Sequence, residues 1–184
     1  SHQQSKISAL SESVERISAQ YHGNEPVVVC NASELNHRYF APPDLTPYSE
    51  TQYRQFSTSL PADGAERIHQ CLPYSDEAIH WTWGWSLVDN EKVYLPFNFC
   101  YANTPFYDPY SHFFHNGGSA GNCIEEAILQ GILENIERDA VALWWYNKLD
   151  LPRVDYSNVS PDLIRQINSQ LLPQYDVWVL DLSS

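Results

Sequence analysis

The sequence predicts an α+β fold in which helices pack on a mainly antiparallel sheet. Residues 6–21 and the segment that begins near residue 122 carry apolar side chains at the spacing of amphipathic helices. Residues 81–87 instead alternate bulky and small side chains, with the two-residue period of a half-buried strand. Because the helices and strands do not alternate regularly, the pattern argues against a parallel βαβ sheet.

The first half of the chain contains the predicted sheet. Residues 25–30 predict a strand directly after the first helix. Residues 41–63 are rich in Pro and Tyr and lack periodicity, so we expect a loop there. Residues 81–87 and 93–97, joined by a polar turn, predict a β-hairpin. Its row of Trp81, Trp83 and Trp85 is more typical of a core or a subunit interface than of a ligand platform, so a homodimer is one possible assembly.

The end of the chain predicts one more helix, at residues 163–172, and a final strand at residues 175–182. The sequence contains no Met, not even at position 1, and no apolar signal segment. We therefore expect residues 1–184 to be one partial domain of a longer protein.

Composition restricts the partners and the compartment. The formal net charge of −13 argues against binding to nucleic acid or to an anionic membrane. The four cysteines form no Cys-x₂-Cys pair, which makes a zinc site of that spacing unlikely and favours reduced thiols in the cytoplasm. His112 and His115 have the spacing of a helical metal pair, but they lie in an aromatic segment that we expect to be a loop.

Three glutamates, Glu126, Glu134 and Glu137, fall on one stripe of the long predicted helix. At about 100° per residue they lie within about 80° of one another. No Lys or Arg lies between them to neutralise the stripe. Carboxylates at this spacing repel one another by a few tenths of a kcal/mol per pair. A bound polyvalent cation would make the cluster favourable, so we expect metal ligands here.

The first predicted helix carries a second acidic cluster. Ser8, Glu12 and Glu15 share the face opposite to its apolar stripe. Mg²⁺ prefers hard oxygen ligands and is usually held by a few carboxylates together with the phosphates of a nucleotide. Arg16 and Arg138 each directly follow a glutamate and are candidates to contact phosphate oxygens. The alternative is a solvated polar face without a ligand.

A glycine-rich turn, residues 116–122, leads into the long helix. Free backbone N–H groups and the positive end of the helix dipole favour an anion at such a turn. The sequence is neither a Walker loop nor a dinucleotide-binding fingerprint. Asn122 can also cap the helix, with Glu125 reaching back from the third helical position as a capping box. The two roles are compatible.

Taken together, these motifs resemble the ATP-binding signatures of the YcaO family. The matching positions are Ser8-x₃-Glu12-x₂-Glu15-Arg16, Asn116-Gly-x-Ser119-Ala-Gly-Asn122-x₃-Glu126 and Glu134-x₂-Glu137-Arg138, in the family's order. The resemblance implies that Mg²⁺ ions holding the ATP phosphates are bound by Glu12, Glu15, Glu126, Glu134 and Glu137. It also implies that the nucleotide is contacted by Ser8, Arg16, Ser119, Asn122 and Arg138.

The resemblance further implies ATP-dependent cyclodehydration of a ribosomally made precursor peptide. A Cys, Ser or Thr side chain attacks the preceding amide, ATP phosphorylates the amide oxygen, and phosphate leaves to give a thiazoline or oxazoline ring. Residues 143–149 resemble the branch of the family that works with peptide-modifying partner proteins. The expected partners are therefore the precursor peptide and a leader-binding protein or fused domain.

The chain departs from the family pattern at its end. The family's third nucleotide motif, Gln-x₂-Arg, and its Pro-rich C-terminus are expected beyond Ser184, so the C-terminal third of a family domain is absent here. Catalytic groups that act as a unit lose most of their rate enhancement when one is removed. We therefore expect residues 1–184 alone to bind ATP weakly and not to cyclise a peptide.

Two other functions are compatible with the same residues. One keeps the ATP site but uses sulfide from a sulfur-delivery partner, which gives a thioamide. The other is a non-catalytic recognition or scaffold protein in which the acidic helices are solvated faces. Two separate carboxylate clusters, each with an arginine beside it, favour the enzyme.

Overall fold

The chain forms two compact units, residues 1–120 and residues 121–184. The structure is a computed structural model, and it describes residues 2–58, 71–155, 161–166, 168–169, 175 and 178–183. The first unit combines helices with an antiparallel sheet, and the second contains the long helix. The predicted α+β fold is confirmed.

The described part of the first unit contains one three-stranded sheet. Its elements are α1 (His2–Ser18), β1 (Val28–Cys30), a 3₁₀ turn (Ala32–Glu34), α2 (Pro42–Leu45), α3 (Glu50–Thr58), β2 (Ile79–Ser86), β3 (Glu91–Pro96) and α4 (Phe97–Cys100). The strand order is β1-β2-β3, and both pairings are antiparallel. Strand β1 is therefore three residues shorter than predicted.

The β2–β3 hairpin confirms the interpretation of the alternating tryptophans. Trp83 lies opposite Tyr94 in the register, and the chain reverses through residues 87–90. Asn90 adopts a left-handed φ of 54°, which Asn tolerates better than most residues. Its side chain accepts a hydrogen bond from Trp85 Nε1 at 3.2 Å. The turn ends two residues earlier than expected, because β3 starts at Glu91 and not at Val93.

The core of the first unit forms around the start of the hairpin. Trp81 is completely buried and packs with Ile79 and Ala32. Its indole Nε1 donates to the Cys30 carbonyl at 3.0 Å, which satisfies its polar group inside the core. The tryptophan row is only partly core, however, because Trp83 and Trp85 are 47% and 55% exposed.

An aromatic cluster fixes the end of α1 beside the hairpin. The Tyr21 ring makes edge contacts with Phe97 and Phe106, at centroid distances of 5.9 and 5.6 Å. The backbone reinforces this packing, because Tyr21 N donates to the Ala102 carbonyl at 3.0 Å and Ala102 N donates to the Ala19 carbonyl at 2.9 Å. The position of α1 relative to the sheet is therefore fixed by contacts just after its C-terminal end.

The predicted loop at residues 41–63 is wrong in part, because α2 and α3 lie within it. Helix α2 begins with Pro42, whose fixed φ suits the first helical position. Before α3, the backbone N–H of Gln52 donates to the Ser49 hydroxyl at 3.3 Å. Gln52 also accepts from Ser49 N at 2.9 Å, which is a capping box that stabilises the helix start. Residues 59–63 of the prediction lie outside the described residues.

The second unit contains α5 (Ile124–Asn147) and α6 (Pro161–Gln166). Lys148 ends α5 with a left-handed φ of 53°. The predicted helix at residues 163–172 corresponds to α6, which begins two residues earlier, and residues 167 and 170–172 lie outside the described part. Of the predicted strand at 175–182, the described residues form one antiparallel bridge, between Arg153 and Leu180. Residues 176–177 lie outside the described part.

Two further features concern the cysteines and the helices. Cys30, Cys71, Cys100 and Cys123 are all free thiols. Among the described helices, none is both long enough and apolar enough to span a bilayer.

Candidate nucleotide and metal site

The polar face of α1 presents the first predicted motif. Arg16 Nη2 lies 3.4 Å from Glu12 Oε1, one turn back on the same helix. Both side chains are about half exposed, so the pair is a weak surface ion pair. Ser8 is exposed on the same helix. The arginine predicted to contact phosphate thus pairs with a glutamate predicted to bind metal.

Glu15 connects α1 to the glycine-rich turn. Its Oε1 accepts a hydrogen bond at 2.8 Å from the backbone N–H of Ala120, which is 105 residues away in the chain. The contact is partly buried and lies within the first unit. The structure therefore brings together two segments that the sequence predicted to act together.

The glycine-rich turn has a conformation that requires glycine. Gly117 has a φ of 77°, in the left-handed region that side chains disfavour. The backbone N–H of Gly118 donates to the His115 carbonyl at 3.4 Å, which closes the turn. Ser119 and Ala120 follow and are half-buried. The predicted turn before the long helix is confirmed.

The start of α5 differs from the predicted capping box. The cap is Cys123, not Asn122, and the helix begins at Ile124. Glu126, not Glu125, is therefore the third helical residue and reaches back. Its Oε2 accepts from the backbone N–H of Asn122 at 2.8 Å and from Asn122 Nδ2 at 2.9 Å. The hydrogen bond from the Asn122 backbone, and then the one from its side chain, lower the pKa of Glu126 below the ordinary value of a glutamate.

Gly121 is a position that requires glycine for steric reasons, which the sequence analysis did not single out. A Cβ placed there would lie 2.6 Å from Ala127 N and 2.9 Å from Glu126 Cβ. Any side chain at this position would displace the backbone of the first turn of α5. The glycine lets the chain approach the helix N-terminus closely, and the glycine-rich composition of the turn was the available clue.

The middle of α5 carries the remaining predicted residues. Arg138 Nε lies 2.6 Å from Glu134 Oε1, one turn away. The expectation that nothing neutralises the acidic stripe is therefore wrong for Glu134, as it is for Glu12. Arginine at four residues after a glutamate is a favourable helical pair, and this spacing was readable in the sequence. Glu137 is exposed and has no hydrogen bond or ion pair with another described residue.

The carboxylates are oxygen donors of the kind that bind magnesium in nucleotide complexes. Within the described ranges, no three His, Cys, Asp or Glu side chains form a group that could hold a metal by themselves. Mg²⁺ in nucleotide sites commonly takes only one or two carboxylates and fills its other positions with phosphate oxygens and waters. The donor set therefore fits this metal. Convergence of Glu12 and Glu15 with the glutamates of α5 stays a prediction, because the two helices belong to different units.

Comparison with known proteins gives one family match over the whole chain. A protein-family model described as YcaO cyclodehydratase, ATP- and Mg²⁺-binding, matches residues 1–184. The chain is also similar to a solved heterocyclase in complex with substrate and cofactor. That similarity has 38% identity and a TM-score of 0.86, and it covers 97% of this chain and 24% of that one.

Two further structures are similar. The heterocyclase TruD has 34% identity and a TM-score of 0.82 over 98% of this chain and 27% of its own. YcaO from Methanopyrus kandleri, bound with AMPPCP and Mg²⁺, has 24% identity and a TM-score of 0.58 over 90% of this chain and 36% of its own, which supports the fold alone. The search of curated proteins found no match. The chain thus spans about a quarter of the length of each of the two heterocyclases.

Proposed function

We propose a function from the premise that this chain belongs to the YcaO family, whose members are described as ATP- and Mg²⁺-binding cyclodehydratases. The protein that contains it is an ATP-dependent cyclodehydratase that forms thiazoline or oxazoline rings in a ribosomally made precursor peptide. Residues 1–184 supply part of its nucleotide and magnesium site. The two heterocyclases that are 38% and 34% identical support this choice over thioamide formation.

The hydrogen bond between Glu15 and Ala120 is the observation that carries the proposal. It joins the acidic helix α1 to the glycine-rich turn at 2.8 Å, although 105 residues separate them. A scaffold with solvated acidic faces gives no reason for a glutamate of one motif to contact the backbone of the next. A shared site for phosphate and cation does, because it needs carboxylates and backbone N–H groups side by side.

The proposed roles divide the residues by chemistry. Mg²⁺ would be held by the carboxylates of α1 and α5, which are hard oxygen donors: Glu12, Glu15, Glu126, Glu134 and Glu137. Arg16 and Arg138 present guanidinium groups, whose forked donors match phosphate oxygens. Ser8, Ser119 and Asn122 offer hydroxyl and amide groups to the nucleotide. When bound, Mg²⁺ neutralises the charge of the phosphates.

The proposed reaction balances through inorganic phosphate. The thiol or hydroxyl of a peptide Cys, Ser or Thr bonds to the carbon of the preceding amide. The amide oxygen takes the terminal phosphoryl group of ATP, and ADP is released. The oxygen then leaves in inorganic phosphate as the carbon–nitrogen double bond forms. The peptide loses the amide proton, the thiol or hydroxyl proton and one oxygen, which together equal one water.

The proposed partners follow from the substrate. A precursor peptide occupies the site, and a leader-binding protein or fused domain delivers it. Two copies of the protein can form a homodimer, for which the exposed Trp83 and Trp85 provide apolar surface. We place the protein in the cytoplasm, where its four free cysteines stay reduced.

The test uses the full-length protein, ATP, Mg²⁺ and a cognate precursor peptide. Mass spectrometry should detect the loss of one water per ring, together with an equal amount of ADP. Omitting Mg²⁺ should abolish both. If the peptide instead exchanges oxygen for sulfur when a sulfide donor is added, the thioamide reading is correct. If the peptide is unchanged and no ADP forms, the protein is not a cyclodehydratase.

A further inference from the structure

We propose that Glu15 and Glu126 each compete with nucleotide phosphate for a donor of the glycine-rich turn, Glu15 at Ala120 and Glu126 at Asn122, and that Mg²⁺ bound to either carboxylate relieves its competition. The inference rests on the proposed function and concerns the regulation of the same site. In this inference, each acidic side chain has two roles. It is a metal ligand, and it is also an internal anion, meaning a carboxylate that occupies donors which a phosphate would otherwise use.

The first donor is the backbone N–H of Ala120. It points at a carboxylate oxygen of Glu15, at 2.8 Å. A backbone N–H has a single hydrogen, so a phosphate oxygen can use it fully only if Glu15 gives it up. Charge-assisted bonds of this kind are stronger than neutral ones, and this one is partly buried. A phosphate that approaches Ala120 therefore has to displace the Glu15 carboxylate from the backbone N–H.

The second set of donors belongs to Asn122. Its backbone N–H and its side-chain Nδ2 both donate to the same oxygen of Glu126, at 2.8 and 2.9 Å. Asn122 is one of the residues that the family resemblance assigns to the nucleotide. Glu126 therefore accepts both hydrogen bonds through Oε2, and its Oε1 is available to coordinate a cation. A cation there draws electron density from the carboxylate and weakens its hold on Asn122.

The arginines repeat the same arrangement. Arg16 pairs with Glu12 and Arg138 pairs with Glu134, so each arginine assigned to the nucleotide contacts a glutamate assigned to the metal. These pairs are exposed and contribute little by themselves. The backbone donors of the turn carry the argument, and the arginines add to it. Within the described part of the chain, Glu137 is the one predicted metal ligand without such a contact.

Two consequences follow for binding. Without metal, the carboxylates weaken nucleotide binding by occupying its donors and by repelling its charge. With metal, cation and nucleotide each raise the affinity of the other by the same factor, because such linkage is reciprocal. Removing an internal anion should therefore tighten nucleotide binding in the absence of metal, although it removes a metal ligand.

The experiment measures the affinity of the full-length protein for AMPPCP by calorimetry, once in EDTA and once in excess Mg²⁺. The variants are Glu126→Ala and Glu15→Ala, with Glu125→Ala as the matched control. Glu125 lies in the same first turn of α5 and carries the same charge, but it does not hold Asn122. In EDTA, we expect either variant to bind AMPPCP about fivefold more tightly than wild type, and the control to stay within about twofold. In Mg²⁺, both variants should bind less tightly than wild type.

The possible results separate a failure of this inference from a failure of the proposed function. Equal tightening by Glu126→Ala and Glu125→Ala would reduce the effect to net charge and overturn the inference, as would no tightening at all. A wild-type protein that does not bind AMPPCP even in Mg²⁺ would instead overturn the proposed function. Melting temperatures check that the variants fold. If an alanine variant does not fold, the matching Gln variants decide in its place, because Gln keeps a weaker acceptor and should give a smaller tightening in the same direction.

Discussion

The β2–β3 hairpin and helix α5 differ in how their apolar residues are used. Around the hairpin, Trp81 and Phe97 are fully buried. In α5, Gly131 is the one buried residue among those described. The apolar face of α5 stays exposed, at Ile124, Ile128, Leu129, Ile132, Leu133, Ile136 and Leu143. The hairpin is thus stabilised by a core, whereas most apolar side chains of α5 are exposed within residues 1–184.

Helix α1 resembles α5 in this respect, because none of its residues is buried. Each of the two helices that carry the predicted metal ligands thus has at most one buried residue. Isolated helices are marginally stable in water, so contacts at their ends have a large influence on them. In the described residues, those contacts include the Tyr21 cluster for α1 and the bonds of Asn122 to Glu126 for α5.

The largest expected effect tests the hairpin core directly. In the 184-residue chain, Trp81→Ala should lower the free energy of unfolding by about 3–5 kcal/mol, because it leaves a large cavity. Leu133→Ala should cost less than about 1 kcal/mol, since its side chain is 49% exposed. Urea denaturation monitored by tryptophan fluorescence and circular dichroism gives both values.

The same experiment includes a control and a contradicting result. Trp81→Phe keeps an aromatic ring but removes the indole donor to the Cys30 carbonyl, so its cost should be intermediate. Similar costs for Trp81→Ala and Leu133→Ala would break the comparison. They would show that the face of α5 is packed as tightly as the hairpin core.

The second prediction concerns the polar face of α5. Glu137→Gln in the full-length protein removes one charge and keeps the shape and hydrogen-bonding capacity of the side chain. We expect ATP turnover to fall on the order of 100-fold, as is typical when one charge-stabilising group is lost. The melting temperature should change little, because Glu137 is exposed. Unchanged turnover would mark a solvated face, and a large loss of melting temperature would mark a structural residue.

Cysteine reactivity sharpens the comparison at two positions. Burial, together with the nearby Asp108 carboxylate, raises the pKa of Cys71 to about 11, and the thiol is only 1% exposed. Cys123, at the start of α5, is exposed. At pH 8, iodoacetamide should label Cys123 at least about tenfold faster than Cys71. Peptide mapping by mass spectrometry measures both rates, and equal rates would mean that the core of the first unit opens readily.

The smallest expected effect concerns a carboxylate near the start of the hairpin. Asp76 accepts bonds from the Ser33 hydroxyl at 2.6 Å and from Ser33 N at 3.1 Å, and these lower its pKa below 3.8. A lowered pKa in the folded state stabilises the fold above the unfolded value. That contribution is lost as the pH falls below about 3.8 through the folded pKa.

Ser33→Ala should therefore raise the pKa of Asp76 toward its ordinary value and weaken the protein at neutral pH, with the cost vanishing in acid, where the contribution is already lost. A carbon-detected NMR titration of the Asp76 carboxyl group measures the shift. Ser75→Ala is the matched control, because Ser75 bonds the neighbouring Glu77 instead. A pKa of Asp76 that Ser33→Ala leaves unchanged would contradict this account.

The hairpin and the long helices could be predicted from the sequence because their periodicity reflects local geometry. The alternation from Trp81 to Ser86 required only a two-residue period. Helix α3 was missed because its Pro- and Tyr-rich surroundings resemble a loop. The capping box from Ser49 to Gln52 was nevertheless present in the sequence and would have indicated a helix start.

For the candidate site, the sequence predicted residues but not their contacts. Spacing and family resemblance predict Glu15 and Asn122 as site residues, and these roles stay predictions. The bond from Ala120 to Glu15 spans 105 residues and involves a backbone N–H, so no sequence pattern encodes it. The shift of the helix cap from Asn122 to Cys123 was similarly hidden, because it depends on the backbone angles of a glycine-rich turn.

The most direct test of the account is a crystal structure of the full-length protein with AMPPCP and Mn²⁺. Anomalous scattering identifies the metal positions without reference to the model of the protein. We predict manganese bonded to phosphate oxygens and to carboxylates of both α1 and α5, with Glu12, Glu15, Glu126, Glu134 and Glu137 as ligands. Carboxylates of the two helices that lie more than about 12 Å apart could not share a metal–phosphate group and would contradict the account.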